Sequence, residues 1–185
     1  LRDAVRPLWT GAATQLFNDP EAARDGYIRV LLRRGPVSQH AFFDKYAAHP
    51  PDAEQSTKIL KLMELERHIQ LMYTSCGWFF DDLAGIETVQ IISYAGRVLQ
   101  LAAELFGNAG AELEKEFLVR LAEARGNVPD HVEPEPINGA DIYRKSVAPQ
   151  KIDLEQVGAR YAIVSLFETQ SEKTAQYCYD IRCKS

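Results

Sequence analysis

Apolar residues recur at steps of three and four along most of the chain, the spacing that places side chains on one face of an α-helix. The pattern predicts an amphipathic helix over residues 5–16 and another after Asp19-Pro20, a pair typical of a helix start. The longest predicted helix begins at its cap, Asp52, and ends near Ser75. Its apolar face carries Ile59, Leu62, Leu65 or Glu66, Ile69 and Met72.

The second half of the chain is less uniform. Helical spacing continues over residues 89–106 and 113–124, and residues 127–137 are then rich in proline and acids, as in an extended surface connection. A short helix is predicted over 139–146 and a longer one from Asp153. Residues 174–183 instead alternate apolar and polar side chains, which predicts one half-buried strand.

These elements predict a mainly α fold, a helical bundle of about seven helices with one C-terminal β-strand. We expect one domain over residues 1–185, whose parts are listed in chain order: a helical core (1–126), an acidic, proline-rich connection (127–152), a helix (153–168) and the strand (174–183). A strand without a partner leaves backbone groups unpaired, and Leu1 falls within a helical pattern. Both features lead us to expect a fragment of a longer protein.

Composition narrows the class of protein. The 185 residues are 46% hydrophobic and 25% charged, which is ordinary for a globular domain. A net charge of −5 disfavours nucleic acid or an anionic membrane as a partner. No apolar run approaches the length of about 18 residues that a membrane span needs. Three cysteines do not form a disulfide framework, and we expect a cytoplasmic protein.

The candidate chemistry lies in residues 72–87, MYTSCGWFFDDLAGIE, here named the Trp78 turn. Three aromatic residues follow Gly77 directly, and the carboxylates of Asp81, Asp82 and Glu87 come next. Aromatic faces can stack on sugar rings, and carboxylates accept hydrogen bonds from sugar hydroxyls. The alternative is an aromatic plug that closes the core, with the two aspartates capping the following segment.

Other groups of residues in the sequence give weaker indications of function. Glu64 and His68 are four residues apart on one helix face and could ligate a metal, although a hydrogen-bonded pair is the simpler interpretation. The sequence contains no glycine-rich phosphate loop and no paired Cys-x-x-Cys motif. We therefore predict no cofactor and no metal. No pair of carboxylates is spaced as glycosidic cleavage requires, so we assign no catalytic residue.

The segment ELERHIQLMYTSCGWFFDDLAGIETVQIISYAGRVLQLA, with the later VGARYAIVSLFE and TAQYCYDI, resembles domain of unknown function 3536. The resemblance covers most of residues 55–180. That domain follows the catalytic domain in bacterial proteins similar to alpha-amylase and alpha-mannosidase, of glycoside hydrolase family 57. The resemblance implies that an N-terminal barrel, absent from this chain, holds the catalytic carboxylates.

Family 57 branching enzymes also have a Ser-Asp-Trp turn near the sugar cleft. Ser75 and Trp78 are similar to that turn, with Cys76-Gly77 in place of the single Asp. The resemblance implies a sugar-contacting role for Ser75 and Trp78, and the chemistry of the turn adds four further residues. The predicted substrate-binding residues are therefore Ser75, Trp78, Phe79, Asp81, Asp82 and Glu87.

Two functional hypotheses follow from the sequence. In the first, the chain is a non-catalytic helical accessory domain of a carbohydrate-active enzyme. It is inactive alone and forms a cleft for an α-glucan or related glycan with the N-terminal barrel of the same polypeptide. The parent protein is then a glycoside hydrolase or a glucanotransferase. In the second, the chain is a purely structural or protein-interaction domain without carbohydrate contact. Exposure of Trp78 to a concave surface would favour the first.

Overall fold

The computed structural model describes residues 1–79, 82–126, 137–151, 154–165, 173–176 and 179–182. Its contacts divide the chain into two compact units, Leu1–Pro149 and Gln150–Ser185. The described residues are mostly helical, so the predicted fold class, a mainly α helical bundle, is confirmed.

The N-terminal unit is a succession of helices joined by short turns. The helices are α1 (Arg2–Leu16), α2 (Pro20–Gly26), α3 (Ile28–Leu32), α4 (Pro36–Tyr46), α5 (Ala53–Leu71), α6 (Cys76–Phe79), α7 (Ile86–Phe106), α8 (Asn108–Leu121) and α9 (Gly139–Ile142). A π-helical turn, Tyr143–Val147, and a 3-10 turn, Ala148–Gln150, continue α9. The short helix predicted over 139–146 corresponds to α9 and the π-helical turn.

Helix α5 shows how the local sequence determines an element. Its N-terminus is the predicted cap, because Asp52 Oδ1 accepts a hydrogen bond from Gln55 N at 2.8 Å and Gln55 Oε1 accepts one from Asp52 N at 3.3 Å. Its C-terminus is Leu71 rather than the predicted Ser75. Thr74 closes the end, since its hydroxyl donates to the carbonyl oxygen of Leu71 at 2.9 Å.

The main core lies between α1, α4, α5 and α7. Trp9 is its largest fully buried side chain, and the indole Nε1 donates to the carbonyl oxygen of Leu62 at 3.2 Å. That bond satisfies the one polar atom that a buried tryptophan brings into a core. Aromatic rings of α4 extend the cluster, with Phe42 edge-on to Phe17 and to Tyr27.

Helix α7 borders two clusters of buried residues. Ala95, Val98, Leu101 and Ala102 belong to the main core, whereas Ile92 and Leu99 pack with Ile142, Tyr143 and Val147. The phenol of Tyr143 donates to Glu114 Oε1 at 2.6 Å, and burial followed by that carboxylate raises its pKa. Helix α7 thus contributes buried residues to both clusters.

Glycines allow the neighbours of α7 to approach closely. A Cβ added at Gly110 of α8 would overlap the carbonyl oxygen of Ala102, and one at Gly96 would overlap the side chain of Val147. Backbone atoms cannot move aside as a flexible side chain can, so the α7–α8 crossing requires glycine at position 110.

The C-terminal unit contains α10 (Leu154–Ser165), β1 (Lys173–Gln176) and β2 (Tyr179–Arg182). The two strands are antiparallel, and Lys173 pairs with Arg182 and Gln176 with Tyr179. The residues predicted as one strand, 174–183, thus include two short strands that pair with each other. The alternating pattern indicated an extended conformation but not that the segment pairs with itself. That pairing forms hydrogen bonds with backbone groups that a single strand would leave unpaired.

The predicted connection over 127–152 lies partly outside the described residues, because the structure describes only 137–151 of it. Arg125 and Asn138 form an isolated antiparallel bridge on either side of the gap. Among the described residues, no helix combines the length and the apolar character that crossing a membrane requires.

We predict opposite effects for the same substitution at two glycines. Gly110→Ala should lower the free energy of unfolding by about 1–3 kcal/mol, because the new methyl group must displace the α7 backbone. Gly11→Ala, on the open face of α1, should raise it by about 0.5–1 kcal/mol. Urea unfolding followed by circular dichroism measures both changes. A neutral Gly110→Ala variant would show that the α7–α8 crossing is not tight.

Candidate functional site

The Trp78 turn begins where α5 leaves the core. Ile69 and Met72, which lie on the predicted apolar face of the long helix, are buried, whereas Tyr73 is 55% exposed. The guanidinium of Arg2 lies 5.2 Å from the centre of the Tyr73 ring. Ser75 is exposed in the turn between α5 and α6. The chain therefore reaches the surface one residue after Met72.

Helix α6 is held against α7 through Gly77. A Cβ at Gly77 would overlap the side chain of Ile91, so the two helices touch where only a hydrogen atom fits. Gly77 is helical, and among the described glycines a φ between +20° and +160° occurs at Gly107 alone. The function of Gly77 in the fold is thus close approach rather than an unusual dihedral angle.

The aromatic residues after Gly77 are described in part. Phe79, the last residue of α6, is 79% exposed. Trp78 lies in the same helical turn, but its side chain is outside what the structure describes, as are Phe80 and Asp81 entirely. Exposure of Trp78, which separates the two functional hypotheses, thus lies outside what the structure describes. Within the described part of the turn, the exposed aromatic side chain after Gly77 is that of Phe79.

Asp82 organises the entry into α7. Its Oδ1 accepts a hydrogen bond from Ala84 N at 2.9 Å, and its carbonyl oxygen accepts one from the Thr88 hydroxyl at 2.9 Å. Asp82 thus stabilises the turn before α7, much as the capping alternative predicted, although the N-cap position itself is Gly85. The Asp82 side chain is exposed, and Glu87 is half-buried in the first turn of α7.

A second polar cluster lies between α2, α3 and α5, around Glu64. Its Oε1 accepts from the phenol of Tyr27 at 2.8 Å, and its Oε2 lies 3.0 Å from Arg67 Nη1. Burial, followed by the Glu64 charge, raises the pKa of Tyr27. Beside the cluster is a cleft of about 340 Å³, lined by Arg24, Asp25, Tyr27, Ile28, Leu31, Met63, Arg67 and Gln70.

His68 does not converge with Glu64 on a common point. Its Nδ1 lies 2.7 Å from the backbone carbonyl oxygen of Glu64 and 3.7 Å from Glu64 Oε2. The imidazole ring packs edge-on against Tyr94, with ring centres 6.1 Å apart. The Glu64 carboxylate is occupied by Tyr27 and Arg67, so the hydrogen-bonded interpretation describes this pair. Among the residues that the structure describes, no three potential ligands cluster as a metal site would require.

The family model described as Domain of unknown function (DUF3536) matches residues 1–185, the whole chain. The chain belongs to the DUF3536 family. Neither a curated protein nor a solved structure matches it. The resemblance found over residues 55–180 is thus confirmed for the DUF3536 domain, and the match extends over the entire sequence. The relation to glycoside hydrolase family 57 stays a prediction.

One charged residue of this DUF3536 domain, Glu66, was placed on the apolar face of α5 by the sequence pattern but was not assigned a partner or a role. Glu66 is 2% exposed, and its Oε1 lies 3.3 Å from Arg6 Nη1. The other guanidinium nitrogen, Arg6 Nη2, contacts Glu21 at 2.9 Å. Glu66 Oε2 is buried without a hydrogen-bond partner in the described part of the chain. The signal was present, because the helical pattern places a carboxylate at 66 on the apolar face of α5. Charge in that position requires a cation from another helix.

The contact between α6 and α7 gives a prediction for the DUF3536 domain. Gly77→Ala should destabilise it by about 1–3 kcal/mol, because the new methyl group meets Ile91. Ile91→Ala removes the atoms that clash, so the double variant should lose less than the sum of the two single losses. A double-mutant cycle from urea unfolding measures this coupling. Additive losses would mean that Gly77 and Ile91 do not touch.

His68 gives a prediction of pH dependence. Burial, with smaller effects from Arg67 and Arg97, lowers its pKa from 6.5, although the Glu64 carbonyl and carboxylate oppose the shift. The unfolded chain therefore binds a proton near pH 6.5 that the folded chain refuses until lower pH, so acidification favours unfolding. His68→Gln should make the decline in unfolding free energy between about pH 7 and pH 5 shallower. An unchanged decline would assign it to other groups.

Proposed function

We propose that this DUF3536 domain is a non-catalytic accessory domain of a carbohydrate-active enzyme similar to family 57 glycoside hydrolases. Its Trp78 turn forms one wall of a glycan cleft whose other walls belong to a catalytic barrel in the same polypeptide. The parent enzyme acts on an α-glucan or a related glycan, as a hydrolase or a glucanotransferase.

The exposure of Phe79 is the observation that carries the proposal. A phenylalanine that is 79% exposed loses the burial that normally stabilises it, so a surface position favours a binding role. The Gly77 contact with α7 and the Asp82 hydrogen bonds hold the turn on both sides of Phe79. An aromatic ring on a fixed backbone is suited to stacking on a sugar, because little conformational freedom is lost on binding.

The carboxylates complement the aromatic surface. One oxygen of Asp82 accepts from Ala84 N, and among the described residues no hydrogen bond involves the other, which can accept from a sugar hydroxyl. Glu87 follows within the first turn of α7. Sugar hydroxyls are donors that match such acceptors, and both residues were predicted to bind substrate. Asp82 binds and orients in this proposal and takes no part in bond cleavage.

A separate observation favours the second hypothesis, a protein-interaction domain. Tyr73, Phe79 and Ile86 are all exposed apolar residues around the same turn, at 55%, 79% and 80%. Aliphatic Ile86 offers a sugar no stacking face but suits a protein surface. The two functions differ in one respect, since a glycan needs the aromatic ring whereas a protein partner needs the apolar area as a whole.

A test of the glycan-binding proposal uses a polypeptide that carries both the barrel and this domain. Phe79→Ala and Trp78→Ala should each weaken α-glucan binding or rate by about 1–3 kcal/mol, as the loss of a stacking platform would. Leu32→Ala, which truncates a 75% exposed side chain outside the turn, is the matched control and should have no effect. Isothermal titration calorimetry and initial rates provide the measurements.

Two results would contradict the proposal. Equal losses in Leu32→Ala and Phe79→Ala would show that the effect is not specific to the turn. A Trp78→Ala variant that unfolds at much lower temperature, yet retains full activity per folded molecule, would identify Trp78 as a core plug. If Ile86→Ala and Phe79→Ala instead weaken binding of a protein partner equally, and both leave glycan binding unchanged, the protein-interaction function is favoured.

A further inference from the structure

Residues 28–37 form an exposed surface that combines aliphatic side chains with arginines, here named the arginine patch. Ile28 is 52% exposed, Leu32 75% and Val37 84%. The arginines on the same short stretch, Arg29, Arg33 and Arg34, are also exposed. A chain of net charge −5 therefore carries three positive charges within six residues, beside apolar area that folding leaves uncovered.

The arginines of the patch differ from those beside it. Arg24 pairs with Glu21 and Asp25, and Arg67 pairs with Glu64. In the described part of the chain, by contrast, no side-chain hydrogen bond or ion pair involves Arg29, Arg33 or Arg34. Their charge is therefore available to a partner. Arg34 is close enough to Tyr27 for its charge to favour ionisation of that phenol, which places it near the Glu64 cluster.

Local structure holds the patch in place. Ser38 lies in the first turn of α4, and its hydroxyl contacts the carbonyl oxygens of Arg33 and Gly35, the latter at 3.1 Å. Pro36 fixes the start of α4 at its first position. The connection from α3 to α4 is thus bonded to the helix that follows it, so Arg33, Arg34 and Val37 are presented on an ordered backbone.

The patch adjoins the cleft of about 340 Å³ between α3 and α5, because Ile28 belongs to both. Leu31 and Met63 supply the apolar part of the cleft, and Arg67 and Gln70 part of its polar rim. Its volume is at the lower limit of roughly 300–1,000 Å³ for small-molecule sites, so it suits one large side chain better than a separate ligand. A concave site next to arginines favours a peptide over a flat lipid surface.

We propose that the arginine patch and its cleft bind an acidic peptide segment of another protein, one in which glutamate or aspartate alternates with large aliphatic residues. The carboxylates pair with Arg29, Arg33 and Arg34, and one aliphatic side chain enters the cleft beside Leu31. Charge complementarity favours this partner. The chain as a whole is acidic and repels an acidic peptide, whereas the three arginines of the patch attract it.

The test measures binding of a labelled peptide to the 185-residue chain by fluorescence anisotropy. The peptide has about twelve residues, glutamate and leucine in equal numbers. Arg33→Glu combined with Arg34→Glu should weaken binding roughly tenfold or more, because two attractions become repulsions. Lys58→Glu combined with Arg120→Glu makes the same change of charge at exposed positions elsewhere and should stay within about twofold. Raising the salt concentration should weaken binding of the unsubstituted chain.

The apolar half of the proposal has its own pair of variants. Leu32→Ser combined with Val37→Ser should weaken peptide binding several-fold, whereas Val119→Ser, at a 69% exposed position on α8, should not. A peptide of glutamate and serine should bind more weakly than the leucine peptide, because it cannot fill the cleft. Circular dichroism confirms that each variant is folded before binding is compared.

Three outcomes would overturn the proposal. The peptide fails to bind the unsubstituted chain, or the Lys58 and Arg120 reversals weaken binding as much as those at Arg33 and Arg34. In the third, phosphatidylserine vesicles bind more tightly than the peptide and lose affinity with the same reversals, which would assign the patch to a membrane surface. Glycan binding by the Trp78 turn is measured separately, so failure of either proposal leaves the other intact.

Discussion

The packing of α7 on several sides is the constraint on which the N-terminal unit depends. Helix α7 contacts α5, α6, α8 and the π-helical turn, and at three of these contacts a glycine removes the side chain that would keep the backbones apart. The glycines are Gly77 opposite Ile91, Gly110 opposite Ala102, and Gly96 of α7 itself opposite Val147. Close packing on several sides leaves α7 little freedom to shift, so α7 fixes the positions of the elements that pack against it.

The candidate site follows from that arrangement. Helix α6 is only four residues long, too short to be stable by itself, and its position comes from Gly77 on Ile91. The exposure of Phe79 is therefore a property of the α6–α7 contact rather than of a flexible loop end. The polar groups of α5 pair with residues of other elements or of α5 itself, since Glu64 binds Tyr27 and Arg67 and Glu66 meets Arg6.

Local signals in the sequence predicted local structure well. Asp52 identified the start of α5, and helical spacing identified α5, α7 and α8. Structure was not predictable from local sequence where the deciding partner is distant along the chain. The need for glycine at 77 depends on Ile91 in the next helix, the burial of Glu66 depends on Arg6, and the reversal between β1 and β2 interrupts an otherwise regular alternation. Of the Trp78 turn, sequence predicted the chemistry of its residues but not which aromatic ring faces solvent.

The glycine contacts of α7 also limit how the length of related chains can vary. One residue inserted between Ile91 and Gly96 would rotate everything after it by about 100°, because a helix turns once in 3.6 residues. The contact with α6 would survive, while Gly96 and Ala102 would face the wrong neighbours. Insertions and deletions among relatives should therefore avoid the span from Ile91 to Ala102. They should accumulate instead in connections that no such contact constrains.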